Sequence, residues 1–179
     1  MIETREINEL ASCIRQSGSV LIGIDGTDGA GKTRLANELA KMLDFHLVHL
    51  DDFLDKNRGG FLDYLDYSKI KYSLKSHRMC LVEGICLLDV MERIGFNLDF
   101  LIYIKRQQYG VWTDERELDI EGDLEEFIRA ELQMLNSPAL HSPDEPEHEI
   151  LGIAEEIIRY HHRYMPQLKA DLLYLWDSC

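Results

Sequence analysis

The segment Gly26–Thr33 carries the clearest chemical signal in this chain. It reads Gly-Thr-Asp-Gly-Ala-Gly-Lys-Thr and matches the pattern G-x-x-x-x-G-K-[ST] at every fixed position. Glycines let the backbone wrap around a phosphate without Cβ clashes, and a following helix N-terminus adds positive potential. We expect Lys32 to reach the β- and γ-phosphates of ATP and the Thr33 hydroxyl to bind Mg²⁺. The predicted nucleotide-binding residues are Gly26, Thr27, Asp28, Gly29, Ala30, Gly31, Lys32, Thr33 and Arg34.

Two further groups of acidic residues follow apolar runs. Asp51 and Asp52 come after Leu47-Val48-His49-Leu50. A carboxylate there could take the proton of a hydroxyl as it attacks the γ-phosphate, and phosphoryl transfer otherwise needs mainly positioning and charge stabilisation. We assign this role to Asp51, with Asp52 as the substitute or as the residue that orients the loop. The alternative is that these carboxylates cap a helix.

Glu83 is a candidate metal ligand. It follows the apolar run Met79-Cys80-Leu81-Val82. Mg²⁺ takes a few oxygen ligands and keeps several waters, so Glu83 could bind it directly or through water. The predicted metal-binding set is Thr33, Glu83 and Asp51. The alternative is that Glu83 is an acidic residue of a turn and binds no metal.

These residues must be positioned by an alternation of strands and helices. Short apolar runs predict five strands, and segments with apolar residues at helical spacing predict helices between them. The predicted strands are Val20–Ile24, Phe45–Leu50, Met79–Val82, Phe100–Ile104 and Leu172–Trp176. The predicted helices are 3–17, Lys32–Leu43, Tyr64–Ser76, Leu124–Leu135 and Ile150–Tyr164, with a short helix or loop at Ile85–Ile94. Residues 105–122 fit no single element, and Asn136–Glu149 reads as an exposed loop with three prolines.

Such an alternation predicts an α/β fold with a parallel sheet that is covered on both faces. Ligands in these sheets bind beyond the carboxyl ends of the strands. The strand ends carry Asp25-Gly26, Asp51-Asp52 and Glu83-Gly84, so the acids and glycines gather where a magnesium nucleotide would bind. Residues 1–179 are expected to form one domain, in which 105–150 is a lid and loop region.

Composition limits the other functions. The net charge is −14, from 19 basic and 33 acidic residues, which argues against binding a nucleic-acid backbone. No apolar stretch approaches the roughly 18 residues of a membrane span, and the charged N-terminus lacks a secretory signal. We therefore expect a cytoplasmic protein, a monomer or homodimer, without nucleic-acid or membrane partners. His161 and His162 are expected at the surface, because neighbouring helical residues cannot face one way.

Three signatures, in this order, resemble the uridine kinase and nicotinamide riboside kinase branch of the P-loop kinases. They are Ile22–Gly26 leading into the glycine-rich loop, His49–Phe53, and Leu81–Ile85. The resemblance implies a P-loop NTPase fold of three α/β/α layers around five parallel strands in the order 2-3-1-4-5. It also implies ATP as the donor, a nucleoside-like acceptor, and Asp51 as the base.

The same resemblance implies further site residues. Asp66 falls near the position that holds sugar hydroxyls in those kinases. Apart from the resemblance, Tyr64 could stack on an acceptor ring, and the alternative for this tyrosine is core packing or surface exposure. A lid after the fourth strand would supply arginines, of which Arg106 and Arg116 are the nearest, with Arg129 and Arg163 behind them. The chain departs from the family here, since 113–126 is strongly acidic.

The sequence thus predicts an ATP-dependent small-molecule kinase that phosphorylates a hydroxyl of a nucleoside-like acceptor. The alternative is a regulatory or interaction protein that binds nucleotide and hydrolyses ATP slowly, with 113–126 as a partner surface. A P-loop GTPase is rejected, because the sequence lacks the N-K-x-D motif that recognises guanine.

Overall fold

The computed structural model describes residues 2–56, 58–118, 120, 122–136 and 147–177. Its strands are β1 Ile2–Thr4, β2 Leu21–Asp25, β3 His46–His49, β4 Cys80–Glu83, β5 Phe100–Gln108, β6 Val111–Trp112 and β7 Leu172–Asp177. Its helices are α1 Ile7–Ser17, α2 Lys32–Leu43, α3 Tyr67–Ser76, α4 Leu87–Ile94, α5 Glu115–Leu118, α6 Leu124–Leu135, α7 Glu147–Tyr164 and α8 Pro166–Lys169. Two 3₁₀ turns lie at Leu50–Phe53 and Leu62–Tyr64.

All seven described strands join one sheet. Its order is β1-β7-β5-β2-β4-β3, and β6 pairs with β5 from outside this row. The β5–β6 pair is antiparallel, and every other pair is parallel. The carboxyl ends of β2, β3 and β4 therefore meet at one edge, where Asp25, Asp51 and Glu83 lie.

The described sheet has seven strands and not the five expected, so its full order differs from 2-3-1-4-5. β1 adds an outer edge next to β7, and the two-residue β6 folds back on β5. The five predicted strands occupy the consecutive positions β3-β4-β2-β5-β7. The omissions have a physical cause, since strands of three and two residues are too short to show a periodic pattern, and β1 is fixed by a partner far along the chain.

Two apolar cores flank the sheet because consecutive residues of its buried strands face opposite sides. In β5, Leu101 and Tyr103 lie in the core with α3 and α4, whereas Ile102 and Ile104 lie in the core with α1 and α2. Strands buried on both faces must be apolar throughout, which is why β2, β4 and β5 read as continuous apolar runs. The α/β architecture expected from the sequence is present.

Several element boundaries differ from the predictions. The predicted helix 3–17 begins only at Ile7, and Tyr64–Ser76 splits into a 3₁₀ turn and α3. Ile85–Ile94 contains a true helix, α4, and the ambiguous segment 105–122 contributes the end of β5, β6 and α5. Residues 137–146 of the predicted proline-rich loop lie outside the described residues. In the part of the chain that is described, no helix has the length and apolarity to cross a membrane.

Candidate functional site

The loop Gly26–Thr33 lies between the end of β2 at Asp25 and the start of α2 at Lys32. A hydrogen bond from the Ala30 amide to the Thr27 carbonyl, at 3.3 Å, folds the loop into a compact turn. Gly31 has a φ of 85°, and a Cβ there would lie 2.9 Å from Cε3 of Trp176 on β7. Only glycine meets both demands, so this position is fixed by backbone conformation and by packing.

Lys32 is buried, with only 7% of its surface exposed. Its Nζ donates a hydrogen bond of 2.7 Å to the Thr27 carbonyl, so the side chain bridges the loop it belongs to. The lysine is therefore held against its own loop and does not face bulk solvent. An ammonium group has three donors, so this bond leaves others for a ligand held by the loop.

Glu83 at the end of β4 is the buried centre of a polar cluster beside the loop. Its Oε1 accepts from the Thr33 hydroxyl at 3.1 Å and lies 2.6 Å from Nδ1 of His49. Glu83 is 3% exposed, so its carboxylate depends on these partners for its stability. The strand ends therefore deliver one acid directly against Thr33, the residue predicted to bind the metal.

His49 was not predicted as a site residue. It occupies the last position of β3, and its register partner on β4 is Glu83. The residue type gave no signal, because only the pairing of β3 with β4 brings the imidazole to the carboxylate.

One cleft joins the two halves of the predicted site. It has a volume of about 410 Å³ and is bounded by the loop on one side and by the segments after β3 and β4 on the other. Its polar walls include Lys32, Thr33, Asp51 and Glu83. Apolar walls are added by Leu54, Phe61, Ile85 and Ile153. With Lys56 and Asp28 also in its walls, the cleft combines two lysines and three carboxylates with enough apolar surface to hold an organic ring.

Three residues predicted near an acceptor lie elsewhere. Asp52, Tyr64 and Asp66 line a separate open groove on the outer side of the Leu50–Phe53 turn. Asp66 is the N-cap of α3, since its carboxylate accepts from the Lys69 amide at 3.0 Å, and hydrogen bonding to Lys69 lowers the pKa of Asp66. The Arg58 guanidinium carbon lies over the Tyr64 ring, 5.8 Å from its centroid. Of the four residues predicted to bind the acceptor, only Asp51 lines the cleft that contains Lys32.

Of the arginines predicted for a lid, Arg106 lies at the loop. It extends from β5, and its Nη1 is 3.4 Å from the point where a Cβ on Gly29 would be. Arg163 instead pairs with Glu92 at 3.6 Å, and Arg129 is exposed on α6. Arg34 pairs with Glu38 along α2. The side chain of Arg116 lies outside the described residues.

Beneath the loop, Asp25 forms a polar contact that sequence reasoning did not assign. Its carboxylate is completely buried, accepts from the Gly26 amide at 2.7 Å, and accepts from the Tyr160 hydroxyl on α7. Burial raises the pKa of Asp25 to about 6, although the hydrogen bonds to Tyr160 and Gly26 and the charge of Lys32 oppose this rise. A strongly shifted acid beside a ligand loop is typical of functional sites and also of structural networks.

The oxygen atoms at the cleft suit a hard divalent cation such as magnesium. The residues that face it offer hydroxyl and carboxylate oxygens, which suit a hard cation. Across the described ranges, no cluster of three or more histidine, cysteine or acidic residues could hold a metal by itself. A site that leaves most positions to phosphate oxygens and water is consistent with Mg²⁺ bound together with a nucleotide.

Comparisons with known proteins give weak similarity. No protein-family profile matches the chain, and no curated protein matches it in sequence. A crystal structure of shikimate kinase from Bacteroides thetaiotaomicron is 16% identical, with a TM-score of 0.44 over 88% of this chain and 86% of that one. Shikimate kinase from Acinetobacter baumannii in complex with shikimate is 12% identical, with a TM-score of 0.42 over 94% and 89%. Similarities this low do not indicate a reaction or a substrate.

Proposed function

We propose that the protein is an ATP-dependent kinase that phosphorylates a hydroxyl group of a small, nucleoside-like acceptor. The observation that carries this proposal is the shared cleft, in which Lys32 and Thr33 of the glycine-rich loop face Asp51 and Glu83. A phosphate held by the loop and a hydroxyl near Asp51 would lie in the same cleft. Phosphoryl transfer requires little more than this positioning and the stabilisation of charge.

The nucleotide would be held by the amides of the loop and by the N-terminus of α2. Lys32 would contact the β- and γ-phosphates, with Arg106 near Gly29 as a second cation. Thr33, Glu83 and Asp51 would hold Mg²⁺. When bound, the ion neutralises charge on the phosphate oxygens.

Transfer would begin at the acceptor hydroxyl. Asp51 accepts its proton while the oxygen bonds to the γ-phosphorus, and the bond between that phosphorus and the β–γ bridging oxygen breaks. ADP leaves, and the phosphorylated acceptor carries the new ester. Lys32 and Arg106 stabilise the charge that develops on the transferring group.

The apolar walls of the cleft favour an acceptor that contains a ring. Leu54, Phe61, Ile85 and Ile153 lie around the same space as Asp51. A nucleoside offers both a ring and free hydroxyls. This match supports a nucleoside-like acceptor.

The experiment is ADP release with Mg-ATP across a panel of nucleosides, vitamins and sugars. One acceptor should stimulate release strongly, and Asp51→Asn should lower that rate about 10²- to 10⁴-fold, the usual contribution of a general base. Asp52→Asn is the matched control, because Asp52 lies in the separate outer groove. Slow release that no acceptor stimulates would instead favour a regulatory nucleotide-binding protein.

A further inference from the structure

We propose that Asp114 is a positioning residue that fixes Arg106 to the glycine-rich loop, so that the guanidinium stays directed at the terminal phosphate of the nucleotide. This inference rests on the proposed use of the loop for ATP. It concerns a residue that lies outside the sequence motif and after β6, 81 residues beyond Thr33 (114 − 33 = 81).

Both oxygens of the Asp114 carboxylate are engaged, and they connect two different elements. Oδ1 accepts from Nη2 of Arg106 on β5 at 2.6 Å. Oδ2 accepts from the hydroxyl of Thr27, the second residue of the loop, at 2.8 Å. One carboxylate therefore holds the cation and the loop in a fixed mutual arrangement.

Thr113 completes this arrangement. Its hydroxyl oxygen lies 3.0 Å from Nε of Arg106, which donates to it, and 3.1 Å from Oδ1 of Asp114. The Thr113 amide donates to the Arg106 carbonyl at 3.0 Å, which keeps the two residues together across the β5–β6 pair. The guanidinium is thus held along one edge by two neighbouring side chains.

The other side of Arg106 remains available for a ligand. The Arg106 side chain is 33% exposed, whereas that of Asp114 is 2% exposed. Nη1 lies over Gly29, at a point where any Cβ would be in contact with it. The pair therefore has a buried half that anchors and an open half that faces the loop, which is the arrangement expected of a preorganised cation.

Burial makes the link sensitive to a small chemical change. A buried carboxylate is stable only while it is paired and hydrogen-bonded. Asparagine has the same shape but carries no charge, so its bond to Arg106 is no longer an ion pair, even though its amide nitrogen could donate to the Thr27 hydroxyl. Asp114→Asn should therefore weaken the attachment of Arg106 to the loop.

The test measures binding of Mg-ATP and Mg-ADP by titration calorimetry, without any acceptor. Arg106→Ala should weaken ATP binding about tenfold more than ADP binding, the loss expected for one charge-assisted hydrogen bond to the γ-phosphate. Asp114→Asn and Thr27→Val should show the same selective loss. Thr27→Ser keeps the hydroxyl and should therefore keep the wild-type preference for ATP over ADP. Glu115→Gln, at the exposed neighbour of Asp114, is the matched control and should bind as the wild type does.

The double variant Arg106→Ala with Asp114→Asn separates positioning from general stability. If Asp114 acts through Arg106, the double variant should lose no more ATP preference than Arg106→Ala alone. Equal weakening of ATP and ADP by Asp114→Asn and Thr27→Val would overturn the proposal and indicate a structural role.

These titrations, taken together with the ADP-release assay, distinguish this inference from the proposed function. Selective loss of ATP affinity in a protein that no acceptor stimulates would support the role of Asp114 and contradict the kinase. Acceptor-dependent turnover, together with an unchanged preference for ATP over ADP in Asp114→Asn, would support the kinase and contradict the role of Asp114. A wild-type protein that binds neither nucleotide would overturn both.

Discussion

The hydroxyl of Tyr160 on α7 donates a hydrogen bond to the buried carboxylate of Asp25, the residue that leads from β2 into the glycine-rich loop. The Tyr160 oxygen also accepts from the Leu88 amide on α4 at 3.1 Å. One phenol therefore joins α7, α4 and the base of the loop. Because this contact includes an acid of raised pKa, it predicts how stability depends on pH.

The first prediction concerns Asp25→Asn. The native pKa of Asp25 is about 6 and its ordinary value is 3.8, so between these values the folded protein binds more protons than the unfolded chain. The stability that protonated Asp25 contributes is therefore fully present below about pH 3.8 and is lost as the pH rises through 6. Asp25→Asn should remove this decline, on the order of 2–3 kcal/mol.

The measurement is the free energy of unfolding in urea at several pH values from 4 to 7. The wild type should lose stability relative to Asp25→Asn as the pH rises. Asp52→Asn, at an exposed acid, serves as the control. Parallel pH profiles for the wild type and Asp25→Asn would show that the carboxylate is ionised at its ordinary pKa.

The second prediction concerns His161, which was expected at the surface and is buried. Its Nδ1 donates to the Ile157 carbonyl at 2.8 Å, so Nε2 accepts from the Tyr103 hydroxyl at 3.1 Å and the ring is neutral. Burial lowers the pKa of His161 to about 4. Its contribution to stability is present above pH 6.5 and is lost as the pH falls towards 4, opposite in sign to that of Asp25.

Ring ¹⁵N chemical shifts provide a direct measurement of His161. We expect the neutral tautomer with its proton on Nδ1 to persist from pH 8 down to about 5. Assignment of the resonance with His161→Gln identifies the signal. A titration of that signal at pH 6.5 would mean that the ring is solvated and that the contact with Tyr103 is not maintained.

The sequence contained enough information to place Asp51 and Glu83, and the reason is geometric. Each acid follows an apolar strand, and the carboxyl ends of parallel strands must meet at one edge of the sheet. Asp51 and Glu83 therefore follow from strand order alone. The partners of these acids do not, because His49 reaches Glu83 only through the register of β3 and β4.

Contacts between residues far apart in the sequence could not be predicted from local patterns. Tyr160 is 135 residues from Asp25, and Asp114 is 87 residues from Thr27. Each partner is brought to the loop by tertiary packing, and the sequence assigned neither of them to these contacts. The strand β1 was missed for the same reason, since its three residues are fixed by pairing with β7 at the other end of the chain.

The third prediction concerns Gly152→Ala on α7. Replacing a helical glycine with alanine normally stabilises a protein by about 0.5–1 kcal/mol. Here a Cβ would lie 2.1 Å from the Gly59 carbonyl oxygen, which is backbone and cannot move aside by a rotamer change. We expect a loss of about 1–3 kcal/mol, the cost of overpacking.

The displaced backbone should also change the cleft. Glu156, one turn along α7, accepts from the amides of Phe61 and Leu62 at 2.9 and 3.1 Å, and Phe61 forms a wall of the cleft. We expect Gly152→Ala to raise the KM for the acceptor more than the KM for ATP. Thermal unfolding and steady-state kinetics measure the two effects. A stabilised variant would show that α7 and the Gly59–Gly60 segment are further apart than described.

The fourth prediction concerns Lys32→Met, which removes the charge and keeps a stem of similar length. Under the proposed function Lys32 contacts the transferring phosphate, so ADP release should fall by about 10²-fold or more, as for other preorganised electrostatic groups. The charge of Lys32 also lowers the pKa of Asp25, so the variant should shift the pH-dependent loss of stability to higher pH. Lys41→Met, at an exposed lysine in the last turn of the same helix, is the control. Unchanged ADP release in a folded Lys32→Met variant would contradict the proposed mechanism, because no other described residue of the glycine-rich loop places a cation in the cleft.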